Sequence, residues 1–360
     1  MREWLEHGVA ADPGRVHTEG RMARAVVEEA RETVAAFLGT RPRQVVFTSG
    51  GTEAINAAVA GATRLRPGAP VLVADVEHSA VRESSALRAP VARIAVDGEG
   101  RIDPAALGET LGRLAGAGTP GGLVHCQFAN HEVATCQPVA EVLETSRAHR
   151  AMVHIDACAA VGHVPLGLDE LGSDLVSLSA HKLGGPPGIG ALVLRRGLRL
   201  DPYLVGGDQE RARRAGLENI PAIVGFAAAV AALREGGRLQ AEAAEARRHT
   251  DALVAAAEAV DGVRLVGARR DRLPHIACFV VDGVEAEGVV LGLDQAGVAV
   301  HSGSSCSSES LAPSAVLEAM HVDAARSLRV SVGWSTTDTD VAAFAEALPG
   351  VIARLRALGA

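Results

Sequence analysis

The chain has 360 residues, 48% of them apolar and 22% charged, a composition that is ordinary for a globular protein and excludes a disordered or collagen-like one. At about 100–200 residues per domain, this length predicts two domains, or one large α/β domain with an addition. Aromatic residues make up only 2%, so the core must be built from Ala, Val and Leu. The net charge of −8 favours solubility and argues against a broad nucleic-acid-binding surface.

Neither a membrane segment nor a disulfide framework is expected. The longest apolar run, residues 222–233, has 12 residues, whereas a membrane helix needs about 20. No secretory signal opens the chain, so a soluble cytoplasmic protein is expected. Five cysteines are too few for a disulfide scaffold of this size. Cys126, Cys136 and Cys158 lack the paired spacing of zinc ligands, so we expect small buried thiols there and no metal site.

The first 200 residues alternate between short β-branched runs and Ala-rich segments with apolar residues at helical spacing. Strands are expected at 45–48, 71–75, 91–96, 123–128, 153–156, 175–179 and 190–194, and helices at 52–65, 79–89, 104–117 and 138–150. This alternation predicts an α/β domain, residues 1–237, with a mostly parallel sheet between helices. Ligands of such folds bind beyond the carboxyl ends of the strands.

The pattern changes after residue 221. Long helical segments are expected within 222–260, with a break at Gly236-Gly237. Further strands are expected at 262–266, 275–281, 298–301 and 328–332, and helices at 312–320 and 338–358. We interpret residues 238–360 as a smaller, C-terminal α+β domain.

Three motifs at the ends of predicted strands could carry chemistry. Residues 48–53 (Thr-Ser-Gly-Gly-Thr-Glu) lie between a strand and a helix, which suits a phosphate site, although a capped turn explains the same pattern. Asp156 ends a buried strand and is either a capping residue or a carboxylate that needs a partner. Lys182, the only lysine in the chain, is either a surface charge or a desolvated amine able to form a Schiff base.

Two further residues have open roles. His78 follows the strand at 71–75, where a lone histidine is more often structural than catalytic. Cys306 lies in the Ser/Gly-rich segment 302–310, which favours a partly exposed, reactive thiol over a buried, inert one. A flexible linker with an incidental cysteine is the alternative for this segment.

Taken together, these motifs resemble the cysteine desulfurases, which belong to the class V branch of the fold-type I pyridoxal phosphate (PLP) enzymes. The matching segments occur in the family's order and spacing over nearly the whole chain, at 48–53, 77–78, 130–132, 154–156, 179–182, 206–216 and 302–306. The Ser-x-His-Lys motif ending at Lys182 is typical of the PLP branch, and the loop carrying Cys306 is typical of the desulfurases. The resemblance implies a fold-type I PLP-dependent transferase and a homodimer.

The resemblance also implies catalytic roles. Lys182 would bind PLP as a Schiff base and move protons, and Asp156 would pair with the pyridine nitrogen. His78 would stack on the ring and act as an acid–base group. Cys306 would take the sulfur of L-cysteine as a persulfide, leave L-alanine, and pass the sulfur to an acceptor protein.

The remaining implied contacts concern the cofactor and the substrate. Arg329 would hold the substrate carboxylate by two hydrogen bonds, with Asn130 beside it. The other residues implied as cofactor ligands are Gly51, Thr52, Asn130, His131, Ser179 and His181. No metal, membrane or nucleic acid is implied.

The chain departs from the family pattern in several places. Ala159 replaces a Gln that bonds the PLP phenolic oxygen, and His131 replaces an Asn. Leu217 replaces a Thr through which the partner subunit contacts the phosphate. The family's N-terminal arm is also expected to be missing. These departures predict weaker PLP binding.

Two alternative functions stay open at this point. One is another class V PLP enzyme, such as a selenocysteine lyase or a pathway-specific C–S lyase, although Cys306 favours persulfide chemistry. The other is a non-catalytic relative that acts as a binding partner, which Ala159 and Leu217 suggest. The joint presence of Lys182 and Asp156 with the other implied residues argues against the second alternative.

Overall fold

The computed structural model describes residues 1–8, 11–118, 121–302 and 313–359. The chain forms two compact units: Met1–Ile94, Pro104–Phe128 and Pro138–Leu239 make up the first, and Ala95–Asp103, Ala129–Gln137 and Gln240–Ala360 the second. The expected division at residue 238 lies beside the last of these boundaries. The second unit also takes in residues 95–103 and 129–137, which the sequence analysis assigned to the first domain, so Asn130 and His131 belong to it.

The first unit is built on a seven-stranded sheet. Its strands are β1 (Val45–Thr48), β2 (Val71–Ala74), β3 (Val91–Ile94), β4 (Leu123–Gln127), β5 (Met152–Asp156), β6 (Leu175–Ser179) and β7 (Gly190–Leu194). Their order across the sheet is β1-β7-β6-β5-β4-β2-β3, and β7 runs antiparallel to both of its neighbours while the other pairs are parallel. The mostly parallel α/β architecture predicted from the sequence is therefore confirmed.

The helices of the first unit are α1 (Arg2–His7), α2 (Thr18–Phe37), α3 (Gly51–Leu65), α4 (Ser79–Arg88), α5 (Pro104–Gly116), α6 (Val139–Ala148), α7 (Leu168–Leu171), α8 (Gln209–Ala212) and α9 (Ile220–Arg234). Helix α2 was not predicted, because its apolar residues are interspersed with charged ones. It nevertheless buries a narrow stripe at helical spacing, including Ala23, Val27, Ala30 and Val34, and packs against α9. The core between α3 and the sheet uses small residues such as Ala54, so the helix backbone approaches the strands closely.

Helix α8 is an irregular turn held by a buried ion pair. Glu210, Arg211 and Ala212 have φ values of 50°, 61° and 60°, a left-handed conformation that costs a non-glycine residue about 1–2 kcal/mol. The Nη1 and Nη2 atoms of Arg31 donate to the Glu210 carboxylate at 2.7 and 2.8 Å. The Phe47 N–H donates to the same carboxylate at 2.9 Å. These bonds hold Glu210, and with it the strained turn, in one position.

The second unit has a four-stranded sheet in the order β10-β11-β9-β8. Its elements are α10 (Arg238–Glu258), β8 (Val263–Val266), β9 (Ile276–Val281), α11 (Ala286–Gln295), β10 (His301–Ser302), α12 (Ala315–Ala319), β11 (Ser327–Ser331) and α13 (Asp338–Gly359). Helix α11 was not predicted, and the strand expected at 298–301 was wrong in its bounds. Phe279 and Phe344 are fully buried in the core of this unit.

One helical stretch among the described residues, Ile220–Glu258, is long and apolar enough by composition to cross a membrane. Core helices of water-soluble proteins satisfy the same criterion. Its α9 part buries Ile223, Phe226 and Val230 in the first unit, and a left-handed residue, Gly236, interrupts the stretch before α10. The stretch therefore behaves as a core helix of the first unit followed by a separate helix.

Candidate active site

The carboxyl ends of β1, β5 and β6 lie along one edge of the first unit's sheet. Thr48 at the end of β1 pairs with Gly190 of β7, which in turn pairs with Ser179 at the end of β6. In the neighbouring pair of strands, Asp156 at the end of β5 lies opposite Ser177. The glycine-rich motif, the strand-end carboxylate and the lysine motif therefore begin at the same edge.

The start of α3 is suited to an anion. Gly51 is the first helical residue and is buried, and no side chain caps this N-terminus. The first N–H groups of a helix have no partner within the helix and lie at its positive end, so they bind phosphate well. The Ser49 N–H donates to the Glu53 carboxylate at 2.8 Å, and the Arg214 Nε donates to it at 2.9 Å.

The ion pair between Glu53 and Arg214 neutralises a carboxylate that would otherwise repel an anion bound at this helix end. Burial alone would raise the pKa of Glu53, but the hydrogen bonds from Arg214 and Ser49 outweigh burial and leave the pKa below its ordinary value. Glu53 is thus ionised and paired near neutral pH. An anion at the start of α3 would therefore not meet an uncompensated carboxylate.

Asp156 is held rigidly at the end of β5, where it is 7% exposed. Its Oδ1 accepts the N–H of Cys158 at 3.0 Å, and its carbonyl accepts the N–H of Phe128 at 2.8 Å. A buried carboxylate with a fixed orientation is suited to pair with a protonated nitrogen. Asp156 therefore lies at the end of a buried strand as expected, its bond to the Cys158 N–H fits the capping alternative, and its role as a partner for a cofactor stays a prediction.

The lysine motif forms a short 3₁₀ turn directly after β6. The Ser179 Oγ and the His181 Nδ1 lie 2.9 Å apart, and the His163 Nε2 donates to the Lys182 carbonyl at 2.8 Å. Burial and the positive charge of Lys182 lower the pKa of His181, so its ring is neutral near neutral pH. The Lys182 side chain is exposed.

His78 caps α4 through its ring. Its Nδ1 accepts the N–H of Ala80 at 3.0 Å, so the proton of the neutral ring lies on Nε2. The preceding Glu77 is fully buried and accepts the N–H of Gln127 at 2.7 Å. These bonds position the segment between β2 and α4 and fix the orientation of the imidazole.

These residues of the first unit fit PLP. The start of α3 offers an anion site for its phosphate, with Ser179 and His181 at the same sheet edge. The Asp156 carboxylate offers a partner for its ring nitrogen, and Lys182 offers the amine for its aldehyde. One edge of the sheet thus combines an anion site, a buried carboxylate and the chain's only lysine.

A buried pair of histidines near Asp156 was not predicted. The Nδ1 atoms of His125 and His154 lie 2.8 Å apart, and their Nε2 atoms lie 3.4 Å from Ser85 Oγ and 2.7 Å from Ser177 Oγ respectively. Burial is the main cause that lowers both pKa values, that of His154 to about 4. The sequence signal that could have revealed this pair is a histidine in the middle of each of two buried strands, β4 and β5.

The expectation of three buried thiols was wrong for two of them. Cys126 is buried, but Cys136 and Cys158 are only partly buried. Cys158 lies beside Asp156 because the chain turns back immediately after β5. The sequence analysis missed this residue, since it judged the cysteines by their spacing and not by their distance from the strand end.

The second unit brings together Asn130, His131 and Arg329. Asn130 is fully buried, and its Oδ1 accepts the N–H groups of Glu132 and Val133, both at 2.8 Å. The Arg329 Nη1 donates to the His131 carbonyl at 3.3 Å. The side-chain oxygen of Asn130 thus shapes the turn that carries His131, while Arg329 reaches that turn from β11.

Charged groups surround this turn. Burial would raise the pKa of Glu132, but hydrogen bonds from His131 and Ser314 outweigh it and lower the pKa. His301, the register partner of Arg329, was not predicted as a site residue. Burial and the charge of Arg329 lower the pKa of His301. Cys306 lies outside the described residues.

Elsewhere in the second unit, Glu245, His249 and Asp338 place three ligand-type atoms within 4.8 Å of one another. The Arg248 Nη2 lies 2.5 Å from an oxygen of Glu245, 2.5 Å from one of Asp338 and 3.0 Å from the His249 Nε2. The Arg248 guanidinium therefore already occupies this cluster and contacts both of its carboxylates. It plays no part in the site described above.

Comparisons with known proteins agree with these features. Residues 1–344 match the family model of the class-V aminotransferases, which are PLP-dependent enzymes. "Cysteine desulfurase IscS" of Dictyoglomus turgidum is 37% identical over 358 residues, covering 96% of this chain and 89% of the relative.

Two solved structures share the fold of this chain. A NifS-like protein superposes with a TM-score of 0.87 at 28% identity, covering 98% of this chain and 94% of that one. A structure described as SspA in complex with cysteine superposes with a TM-score of 0.77 at 25% identity, covering 92% and 93%. The chain belongs to the cysteine desulfurase family within the class-V aminotransferases.

Proposed function

We propose that this protein is a PLP-dependent cysteine desulfurase, which converts L-cysteine to L-alanine and retains the sulfur as a persulfide on Cys306. The observation that carries the proposal is the grouping of an anion site, the buried Asp156 and the only lysine at one sheet edge. The family supports it, and the solved relative SspA is described in complex with cysteine.

The first unit supplies the cofactor contacts in this proposal. When bound, PLP provides an electron sink for bond breaking at the substrate's α- and β-carbons. Gly51, Thr52, Ser179 and His181 would hold the phosphate, and Asp156 would pair with the ring nitrogen and keep it protonated. Because burial and Lys182 keep His181 neutral, His181 serves as a hydrogen-bonding group and not as an additional cation.

Lys182 and His78 handle protons. When PLP is bound, the exposed amine of Lys182 would hold it and would move a proton to and from the substrate's α-carbon. His78 would act as an acid–base group beside the cofactor, with the proton of its neutral ring on Nε2 because Nδ1 accepts the Ala80 N–H. This fixed tautomer makes Nε2 the atom through which His78 donates.

The second unit supplies the substrate contacts. Arg329 binds the carboxylate of cysteine through two parallel hydrogen bonds, which suit a planar guanidinium. Asn130 and His131 lie on the turn that Arg329 contacts, and the family resemblance assigns both residues to the binding of cofactor or substrate. The buried, ionised Glu132 anchors this turn through Ser314 at 2.5 Å.

Cys306 accepts the sulfur. Its thiolate forms an S–S bond with the substrate sulfur while the bond between that sulfur and the β-carbon breaks. The β-carbon takes a proton, so cysteine and the enzyme thiol yield alanine and an enzyme persulfide without an external oxidant. The terminal sulfur then passes to an acceptor protein.

The protein is further proposed to be a cytoplasmic homodimer that binds neither membrane nor nucleic acid. Leu204, Val205 and Leu217 are 37%, 78% and 63% exposed, and these apolar side chains are suited to contact a second copy. Sedimentation of the PLP-loaded protein tests this. A monomer that retains PLP would contradict the dimer.

The activity is tested by incubating the PLP-loaded protein with L-cysteine and a thiol reductant. We expect alanine and sulfide in equal amounts. Pyruvate and ammonia as the carbon and nitrogen products would instead identify a lyase. Bound PLP without any turnover of cysteine would overturn the proposed function, and a parallel assay with selenocysteine measures the preference between the two substrates.

A further inference from the structure

Glu132 bonds a residue that follows the segment carrying Cys306. Its Oε2 accepts the O–H of Ser314 at 2.5 Å, a bond between residues 182 positions apart. The two residues are 4% and 8% exposed, so this bond is shielded from water. Ser314 comes eight positions after Cys306 in the sequence.

The Ser314 hydroxyl serves two groups at once. While it donates to Glu132, its oxygen accepts the Leu317 N–H at 3.2 Å and so caps the start of α12. Helix α12 has five residues and buries Val316 and Leu317. A helix this short is not stable by itself, so contacts such as the bond to Glu132 determine where it lies.

The turn on the other side of this bond has its own internal support. The Asn130 Oδ1 accepts two N–H groups, those of Glu132 and of the next residue, both at 2.8 Å. The Asn130 N–H donates to the Thr135 carbonyl at 2.9 Å. The turn therefore keeps its conformation without Ser314, and the bond between Ser314 and Glu132 fixes α12 relative to the turn.

The same turn is contacted by Arg329, the residue proposed to bind the substrate carboxylate. The Arg329 Nη1 donates to the His131 carbonyl at 3.3 Å. Arg329 also pairs in register with His301 of β10, the strand that precedes the segment carrying Cys306. The described residues on either side of that segment thus attach to the elements that hold Arg329.

The charge of Glu132 strengthens its bond to α12. A buried carboxylate is costly unless hydrogen bonds or opposite charges compensate it. Here the Ser314 hydroxyl donates to it, and the His131 Nε2 lies 3.5 Å from its other oxygen. A bond from a hydroxyl to an ionised carboxylate is short and about twice as strong as one between neutral groups, which agrees with the 2.5 Å distance.

We propose that Glu132 is a positioning residue for sulfur transfer, which holds the start of α12 on the turn that Arg329 contacts and so fixes the chain that follows Cys306. The inference rests on the proposed desulfurase function. Glu132 acts through Ser314 and not on the cofactor. Its loss should therefore slow sulfur transfer to Cys306 while PLP and cysteine still bind.

The first test separates this bond from the capping of α12. Ser314→Asp keeps a residue that caps helices well, but it places a second carboxylate against Glu132. Alanine formation in a single turnover should slow about 10- to 100-fold, as expected when a reacting group is misplaced by about 1 Å. The cysteine concentration that half-saturates the spectral change of bound PLP should stay within about threefold. Ser314→Thr keeps the hydroxyl and should react within about threefold of the wild type.

The second test asks whether the two residues act as a pair. Glu132→Ala should slow alanine formation by a similar factor. Adding Ser314→Asp to Glu132→Ala should then cost less than about twofold more, because the repelling carboxylate is gone. Glu318→Gln, at an exposed carboxylate of α12, is the matched control and should react like the wild type. Thermal unfolding checks that each variant folds, and Ser314→Ala repeats the first test without an added charge.

Three results would overturn the inference. The first is alanine formation at the wild-type rate in Ser314→Asp and Ser314→Ala, and the second is a multiplication of the two losses in the double variant. The third is a rise in the half-saturating cysteine concentration as large as the loss of rate, which would place Glu132 in substrate binding. If the wild-type protein forms no alanine from cysteine, the proposed function itself fails.

Discussion

The residues assigned to the cofactor and those assigned to the substrate are supported in different ways. In the first unit, Asp156 and Ser179 end strands in which every residue is buried. In the second unit, Arg329 is half-buried on β11, which pairs on one side with the two-residue strand β10. The cofactor side is thus fixed by a sheet interior, whereas Arg329 reaches its turn from β11 through a hydrogen bond to the His131 carbonyl. We therefore expect substitutions in the first unit to affect cofactor binding, and those in the second to affect substrate recognition or sulfur transfer.

The strongest test of this contrast is Lys182→Ala. We expect the loss of the absorption band of covalently bound PLP and of all alanine formation, because the chain has no second lysine. Arg195→Ala, at an exposed cation of the same unit, is the control and should retain both. Alanine release at the native rate by Lys182→Ala would show that its assignment is wrong.

Cys306→Ser should separate cysteine binding from sulfur transfer. A serine hydroxyl is a far weaker nucleophile toward sulfur than a thiolate, so alanine formation should almost cease. PLP binding and the spectral change on adding cysteine should persist. Unchanged desulfuration would favour a lyase that forms no enzyme persulfide.

Arg329→Ala should act on the substrate alone. Loss of a hydrogen-bonded charge pair costs about 2–4 kcal/mol, so KM for cysteine should rise about 30- to 1,000-fold. The PLP dissociation constant should stay within about twofold. Arg326→Ala, an exposed arginine just before β11, is the control, and a loss of PLP affinity in Arg329→Ala would contradict the separation of roles.

Acid should weaken the first unit through its buried histidine pair. The pKa of His154 is about 4 in the folded protein and about 6.5 when unfolded, so the unfolded chain binds more protons between these values. Stability is therefore complete above about pH 6.5 and falls toward pH 4, by about 2 kcal/mol between pH 7 and pH 5 for His154. Urea unfolding at both pH values measures this loss.

The matching variant is His154→Asn, which should show a flatter dependence of unfolding free energy on pH. His149→Asn, a partly buried histidine that follows α6, is the control and should keep the wild-type slope. A His154→Asn slope equal to that of the wild type would mean that His154 does not titrate differently in the folded and unfolded states.

Leu217→Thr is the one change expected to improve cofactor binding. In a homodimer the hydroxyl that this substitution introduces would donate to the PLP phosphate of the other subunit, and a hydrogen bond to a charged group contributes about 1.5–3 kcal/mol. PLP should bind about 10- to 100-fold more tightly in a titration of apoprotein. Val205→Thr, also exposed, is the control. Equal or weaker binding by Leu217→Thr would show that this segment does not serve the phosphate.

The sequence predicted the elements that local patterns determine. Each strand of the first unit was identified within two residues at either end, because β-branched runs alternate with Ala-rich segments bounded by Gly or Pro. The glycine-rich motif, Asp156 and Lys182 were singled out because ligands bind at strand ends in this fold class. Their positions in the structure agree with that reasoning, while their roles stay predictions.

The features that the sequence did not predict depend on contacts between distant residues. Arg31 belongs to an amphipathic helix rich in charged residues and has the sequence context of a surface residue, yet its carboxylate partner Glu210 is 179 positions away. His125 and His154 bond each other because β4 and β5 pair in register. The Cys158 Sγ lies beside Gly51 only because α3 approaches β5, and no spacing rule predicts that approach.

The isolation of the single lysine has a practical consequence. Apart from the chain's α-amino group, all amine reactivity of the protein belongs to Lys182, whose side chain is exposed at the sheet edge. An acylating reagent would therefore label this position almost alone, and a protease specific for lysine would cut the unfolded chain once. Acylation of the folded protein reports on whether this amine is covered, so Lys182 is an intrinsic label for occupancy of the site.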